Sequence, residues 1–587
     1  MRKKCCDNSC RVYMMTRIKI YSLILFVNLC VLLSGLVYIQ IAMHDRYKVM
    51  SEENRLKVVP MMAPRGRILD RKGNVLAKDV LCFKVSVIYD RIKDIGSLAD
   101  SLSAVLDIPV DKIIKDIKEG RKQPYSPLCI VSDIGLNKAI PIEELTMNQP
   151  GLLLEVSSRR EYLNGSSCSN VLGYVGFINR SEFEKMRHYG FEINDLVGRD
   201  GIEKYYDNYL RGKHGGKQVE VDHRGRKIAI LGLKEPIAGR DAYLTIDLDL
   251  QKFCEEFLKG RKGAIVAMNP GTGEILAMAS APDYDPGIFI DNDKKNEREK
   301  ILRSAQYPLL NRAIAVAYPP GSVFKAVVAV AGLESKIVSE QKTFVCPGYL
   351  ELGKWRFGCW RKNGHGPQSV TSALKNSCNV YFFNLGLLLG VDRIAQFSER
   401  FGFGLKAGID LPGENKGNRP TAAWKKKKIK ESWYKGDTVN YSIGQGYLLV
   451  SPLQIARMMS VFANGGYLVK PYLVTRIEDI SMNRAEKVNL RISGENLEIV
   501  RQGLKKVVND SRGTGMNARL NEIVVAGKTG TAQTSEEKNH GWFAGFAPYD
   551  NPSLTVVVFE EYGGRGGYFP AETARDIFQR ARELGII

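Results

Sequence analysis

Histidine is scarce in this sequence, six residues in 587, none at a motif-level distance from a serine, and there is no G-x-S-x-G stretch. Both absences exclude a Ser-His-Asp route to an activated nucleophile. Zinc-finger spacing and RNP-like aromatic runs are missing too. The net charge of +21, from 85 Lys and Arg against 64 Asp and Glu, therefore does not read as a nucleic-acid footprint. An anionic membrane surface or an anionic polymer suits it better.

Charge is absent from Ile20 to Met43, a run long enough to cross a bilayer as a helix. It exceeds the ~7–15 residues of a signal-peptide core, and no small-x-small cleavage site follows, so it reads as an uncleaved anchor. Arg2, Lys3, Lys4, Arg11, Arg17 and Lys19 precede it against Asp7 alone. The positive-inside rule then makes residues 1–19 a cytoplasmic tail, 20–43 a single span of the cytoplasmic membrane, and everything beyond extracytoplasmic.

A chain of 587 residues is too long for one ordinary core. Residues 44–240 read as a strand-rich pedestal without a nucleophile–base pair or a phosphate loop. From 241 the texture changes. Gly263 to Ser280 is two apolar β-prone runs joined by Asn269-Pro270-Gly271-Thr272-Gly273, which is hairpin chemistry. Apolar residues at three- and four-residue steps predict helices over Ser322–Leu333, Ser372–Leu388, Pro452–Phe462 and Leu497–Val508. Glu522–Gln533, Gly541–Pro548 and Ser553–Glu561 read as strands, and Ala571–Leu584 as a closing helix. Strands at both ends with helices between them predict one antiparallel sheet assembled from distant halves and covered by helices, so the fold class is α+β multidomain.

Three short stretches carry chemistry. In AYPPGSVFK, Pro319, Pro320 and Gly321 turn the chain into a helix start whose free N–H groups can bind an anion. There Ser322 and Lys325 stand three apart on one helix face. A lysine with an ordinary pKa of ~10.4 is no base near neutrality, but burial and neighbouring cations would lower it and activate the serine without histidine. Ser377-Cys378-Asn379 offers a hydroxyl and an amide for a proton relay and a substrate carbonyl. Lys528-Thr529-Gly530, followed by Thr531, offers a cation and hydroxyls for a carboxylate. The order S-x-x-K, S-x-N, K-T-G is the signature of penicillin-recognising serine enzymes.

With RGRILDRKGNVLA, LTIDLDLQ, NRAIAVAYPPGSVFK, DTVNYSIGQGYLLVSPLQIA and GKTGTAQ in this order, nearly the whole chain resembles the class B penicillin-binding proteins, most closely those of cell elongation. The resemblance implies a membrane anchor, a non-catalytic dimerisation-type module and a penicillin-binding D,D-transpeptidase domain that cross-links peptidoglycan stem peptides and is acylated by β-lactams. It implies Ser322 as nucleophile, Lys325 as its base, Ser377 as proton shuttle and Asn379 as a ligand of the donor peptide. Lys528 and Thr529 would bind the terminal carboxylate, Gly530 and Thr531 would join Thr529 in binding substrate, and the N–H groups of Ser322 and Thr531 would form the oxyanion hole. Catalysis needs no cofactor. The partners it implies are a membrane glycosyltransferase of the SEDS family (RodA-like) and an elongation scaffold (MreC-like), with no nucleic acid. A division-type transpeptidase is the alternative. A β-lactam hydrolase would need an acidic residue to activate water, and no motif supplies one. A sensor would need a cytoplasmic signalling domain, for which 19 residues leave no room.

Cys346, Cys359, His365 and Cys378 follow the pattern C-x12-C-x5-H-x12-C. Three thiols and an imidazole are the composition of a closed structural zinc site. A Cys346–Cys359 disulfide suits an oxidising compartment equally, with His365 exposed and Cys378 buried, and free thiols are the third reading. Some elongation-type members look to have a metal site at corresponding positions, which adds weight to zinc. TAAWKKKKIK, Thr421 to Lys430, reads as a solvated loop, and His540 as a strand-end or cleft-rim residue.

Overall fold

The computed structural model describes residues 4–48, 56–119, 127–186, 191, 195–221, 227–291, 294–482, 485–534 and 538–587. Arg2 and Lys3 of the tail lie outside them. The chain divides into two compact units, 1–63 with 213–237, and 64–212 with 238–587.

In the first unit a helix, Lys4–Val37, continues through a π-helical turn, Tyr38–Ala42. Among the described residues its Tyr13–Ala42 stretch is the one helix apolar and long enough to cross a membrane, and none of its apolar window is buried. That is how a side-chain surface matched to lipid looks, and it fits a single-pass anchor. Strands Leu56–Met61, Gly215–Val221 and Lys227–Lys234 form an antiparallel sheet in that order.

The second unit holds a seven-stranded sheet that draws strands from both sides of residue 240. Ile480–Ser481, Val474–Ile477, Ala242–Leu244, Ile68–Leu69, Val75–Ile88 and Pro127–Ile134 lie in order, and Leu152–Tyr162 also pairs with Val75–Ile88. Beside it Arg65 and Arg160 clasp Glu203 at 2.9 and 2.7 Å, with Asp207 and Asp79 completing a buried charge network. Burial opposes charge on Glu203, yet the two guanidiniums hold its carboxyl below the ordinary range.

The remainder is built on five strands, β1 (Gly263–Met268), β2 (Ile275–Ala281), β3 (Ala526–Ala532), β4 (His540–Ala547) and β5 (Leu554–Glu560). Their order β2-β1-β5-β4-β3, antiparallel throughout, unites the two ends of the domain as the sequence pattern requires. Both faces are covered by helices, so β1, β2, β4 and β5 are buried at every position rather than alternating. Helices Leu248–Leu258, Pro452–Ala463, α4 (Gly494–Asn509) and α5 (Phe569–Glu583) pack on the strands, while α1 (Lys325–Glu334), α2 (Val370–Lys375) and α3 (Asn379–Arg400) pack against α4 and one another.

Two local expectations are corrected. The periodic run Ser372–Leu388 is not one helix: α2 ends at Lys375, Ser377 takes φ +49°, and α3 starts afresh at Asn379. The lysine run is helical over Ala422–Lys428, and Lys425 is buried between Asp437 at 2.7 Å and Glu431 at 3.3 Å rather than solvated.

Candidate active site

The turn Pro319-Pro320-Gly321 is pinned from three directions. Trp542 of β4 donates its indole N–H to the Pro319 carbonyl at 3.1 Å, and the Gly321 N–H bonds the Gly444 carbonyl at 2.9 Å. Gly321 has φ +54°, and a Cβ there would lie 2.7 Å from the Thr531 carbonyl of β3, so only glycine lets the turn approach the K-T-G strand this closely. The chain then makes one 3-10 turn, Gly321–Phe324, before α1. Ser322 is left half-buried between buried Gly321 and Val323, which makes it accessible, whereas Lys325 is fully buried.

The Lys325 amine donates to the Ser377 carbonyl at 2.9 Å, to Ser377 Oγ at 3.3 Å and to Asn379 Oδ1 at 2.7 Å. Burial pulls it down to about 8, with the Cys378 and Cys359 thiols pushing weakly the other way. Ser377 is itself buried, and its left-handed backbone is a conformation a serine holds only when its surroundings impose it. Cys378 imposes part of it. Its backbone N–H bonds the Ala373 carbonyl at 2.9 Å, and its thiol sulfur caps α3 by accepting from the Tyr381 N–H at 3.5 Å.

On β3, Lys528 and Thr529 point to opposite faces, as successive strand residues must. Lys528 is fully buried, and its amine is pulled well below its ordinary value by burial and then by the charge of Lys325. Thr529 and Thr531 share the other face. Thr529 Oγ1 donates to Thr514 Oγ1 at 3.2 Å, and a Cβ on Gly530 would meet the Pro320 carbonyl at 2.9 Å. The structure therefore brings Ser322, Lys325, Ser377, Asn379, Lys528, Thr529, Gly530 and Thr531 to one place.

Other residues there carry no motif. Thr514, Gln445, which donates to the Thr531 carbonyl at 3.4 Å, and Gly566, where a Cβ would strike the Gly530 carbonyl at 2.2 Å, are visible only in three dimensions. The glycine-rich stretches around them were the one signal. His540 opens β4, the strand-end place expected of it, and is buried there, accepting from the Tyr562 N–H on Nδ1 at 3.1 Å.

Behind the second motif the ligand atoms of Cys346, Cys359, His365 and Cys378 lie within 4.8 Å of one another. His365 Nδ1 sits 3.6 Å from both Cys346 Sγ and Cys359 Sγ. That is close to the N···S edge, about 3.5 Å, of a tetrahedron with metal bonds of ~2.3 Å to sulfur and ~2.0 Å to nitrogen. All three cysteines are free and buried. A hydrogen bond from Cys378 lowers Cys359 and raises Cys378, so one thiolate is favoured within the pair. The donor set fits a structural zinc.

A serine at a helix start, a buried lysine, an S-x-N turn and a K-T-G strand, gathered at the edge of a five-stranded sheet, define a serine acyltransferase of the kind that penicillin acylates. Comparison with known proteins agrees. Residues 263–579 match the model of the penicillin binding protein transpeptidase domain, and 60–244 that of the penicillin-binding protein dimerisation domain. The chain is 33% identical over 576 residues to the peptidoglycan D,D-transpeptidase MrdA of Haemophilus influenzae, covering 93% of this chain and 88% of that protein. It resembles PBP2 of Helicobacter pylori, solved in complex with MreC, with a TM-score of 0.80 at 28% identity over 91% of this chain and 99% of that one. A chain of a solved peptidoglycan synthase complex matches with a TM-score of 0.75 at 33% identity, covering 97% of this chain and 99% of that one. The protein belongs to the class B penicillin-binding proteins, the family of the MrdA transpeptidases.

Proposed function

We infer that this protein is a membrane-anchored peptidoglycan D,D-transpeptidase of the cell-elongation type, working through a serine acyl-enzyme. The observation that carries the chemistry is the buried Lys325 amine, lowered to about 8 and bonded to both polar members of the S-x-N turn. Lys325 in its neutral form takes the Ser322 hydroxyl proton as Oγ bonds to the carbonyl carbon of the penultimate D-Ala of a donor stem peptide. The negative oxygen that develops is held by the Ser322 and Thr531 N–H groups, each such donor being worth roughly 3 kcal/mol in comparable sites. Collapse breaks the amide bond, and the proton passes through Ser377 to the leaving D-Ala nitrogen. An amine of a neighbouring stem peptide then attacks the ester, forms the cross-link and returns Ser322 as a hydroxyl. Thr529 binds the donor's terminal carboxylate from one face of β3 with Lys528 supplying charge from the other, Gly530 and Thr531 border the bound donor, and Asn379 positions the donor's backbone.

Cys346, Cys359, His365 and Cys378 are proposed to hold a structural zinc, which when bound supplies a rigid cross-link and no step of the reaction. Cys378 would then fasten the S-x-N turn from behind while Ser377 and Asn379 face the cleft. The tail of residues 1–19 lies in the cytoplasm, 20–43 span the membrane, 44–240 form the pedestal and 241–587 the extracytoplasmic enzyme, a reading supported by the flanking charges and the family matches. A RodA-like glycosyltransferase and an MreC-like scaffold are the proposed partners, supported by the solved PBP2–MreC complex and by a solved synthase complex that couples polymerization to crosslinking.

Fluorescent penicillin tests the reading. A long-lived adduct on Ser322, lost in Ser322→Ala, is expected, and rapid release of the label would make the protein a hydrolase instead. Depletion that yields filaments rather than spheres would move it from elongation to division.

A further inference from the structure

Between the first two motifs the chain inserts a hairpin, Tyr349–Leu352 paired with Trp355–Gly358. Leu350, Leu352 and Phe357 root it in the core, and Phe357 meets Phe383 of α3 edge-on at 6.0 Å. Its catalytic end touches the S-x-N turn. Asn379 Nδ2 donates to the Gly358 carbonyl at 3.4 Å, and Trp360 donates its indole N–H to the Asn376 carbonyl at 3.0 Å.

The rest of the insert faces solvent in an unusual way. Trp355 is 66% exposed and Trp360 59% exposed, although tryptophan is rarely left in water without reason. Lys354, Arg356, Arg361 and Lys362 are exposed beside them, and Glu351 is the one acid between Cys346 and Gln368. No ion pair among the described residues involves any of these four cations; Lys354 lies over the Trp355 ring and Arg356 over the Tyr349 ring. Two exposed indoles amid unpaired cations describe a surface for a partner with apolar ring faces and carboxylates.

We propose that this insert is the docking platform for an acidic glycan strand, the polymer whose stem peptides reach the cleft. The inference rests on the transpeptidase reading and adds to it a substrate subsite outside the three motifs. Sugar rings stack on Trp355 and Trp360, and the cations receive stem-peptide carboxylates. Because the hairpin is bonded to Asn376 and Asn379, a strand lying on it is delivered beside the S-x-N turn.

The test uses the full-length protein in nanodiscs of neutral lipid, with soluble uncross-linked glycan strands carrying stem peptides as probe. Trp355→Ala, and separately the double variant Arg361→Glu/Lys362→Glu, are each expected to weaken strand binding about tenfold, and added salt to weaken the wild type most. All these side chains are exposed, so unchanged melting temperatures verify folding. Strand affinity equal to wild type in both variants overturns the proposal. So does a loss confined to vesicles of anionic lipid, which would make the insert a membrane contact. Penicillin labelling of wild-type Ser322 is read in parallel, so a failure of the transpeptidase reading is distinguished from a failure of the platform.

Discussion

Lys325 Nζ lies 2.7 Å from Asn379 Oδ1, so the proposed base of the first motif is gripped by the second. The contact spans 54 residues of sequence and locks the amine in a dry pocket. Burial there is what brings a lysine within reach of neutrality, because the charged form loses its hydration.

That depression sets a pH dependence. The neutral amine is the reactive form, so acylation by penicillin should be level above the Lys325 value of about 8 and should fall as pH drops through it. Below that value each unit costs about tenfold in rate, and Lys325→Ala should lose about 10²–10⁴-fold at every pH. Stopped-flow acylation between pH 6 and pH 10 measures both. A flat profile would remove Lys325 from the role of base.

The left-handed Ser377 separates stability from activity. Glycine accepts φ +49° without strain and alanine does not. Ser377→Gly should therefore be about 1 kcal/mol more stable than Ser377→Ala, while both lose acylation rate through the missing hydroxyl. Thermal melts paired with penicillin labelling check this; equal melting temperatures would contradict the strain.

Metal analysis of purified protein should find about one zinc per chain, absent in Cys359→Ser. Stripping the metal should lower the melting temperature by roughly 5 °C or more. Thiol titration adds a readout independent of activity. A metal-free, fully active protein with a Cys346–Cys359 disulfide would remove the zinc.

Lys425 should behave unlike its neighbours. Its amine is held by Asp437 and Glu431 and lies over the rings of Tyr434 and Tyr447 at 4.7 and 5.6 Å. Both acids reach solvent, Glu431 with 56% and Asp437 with 17% of its side chain exposed, so Lys425→Ala should cost about 1–2 kcal/mol. Lys426→Ala and Lys427→Ala, both exposed, should stay within about 0.5 kcal/mol. Identical melting temperatures for all three would deny the pair any structural weight.

Much of this protein was legible in its residues alone. An uncharged run of lipid-spanning length, apolar strands at the two ends of a domain, and three motifs in a fixed order are local patterns, and local patterns survive without coordinates. They were enough for an apolar helix of spanning length, the antiparallel sheet and the family, and for naming the side chains that the fold gathers around Ser322. The tertiary structure decided what depends on distant segments meeting. Periodicity drew one helix through Ser372–Leu388, because a repeat of apolar residues cannot register the left-handed turn that the surrounding packing imposes at Ser377. Composition made Lys425 a surface charge, because its acids lie on another turn of chain. Spacing offered a disulfide and a zinc site as rivals, and only the fold brings His365 Nδ1 to 3.6 Å from two sulfurs. The depressed Lys325, the close approach of Gly321 to Thr531 and the exposed Trp360 beside Asn376 share the same origin: hydration, strain and reach are set by neighbours in space, which a linear sequence does not number.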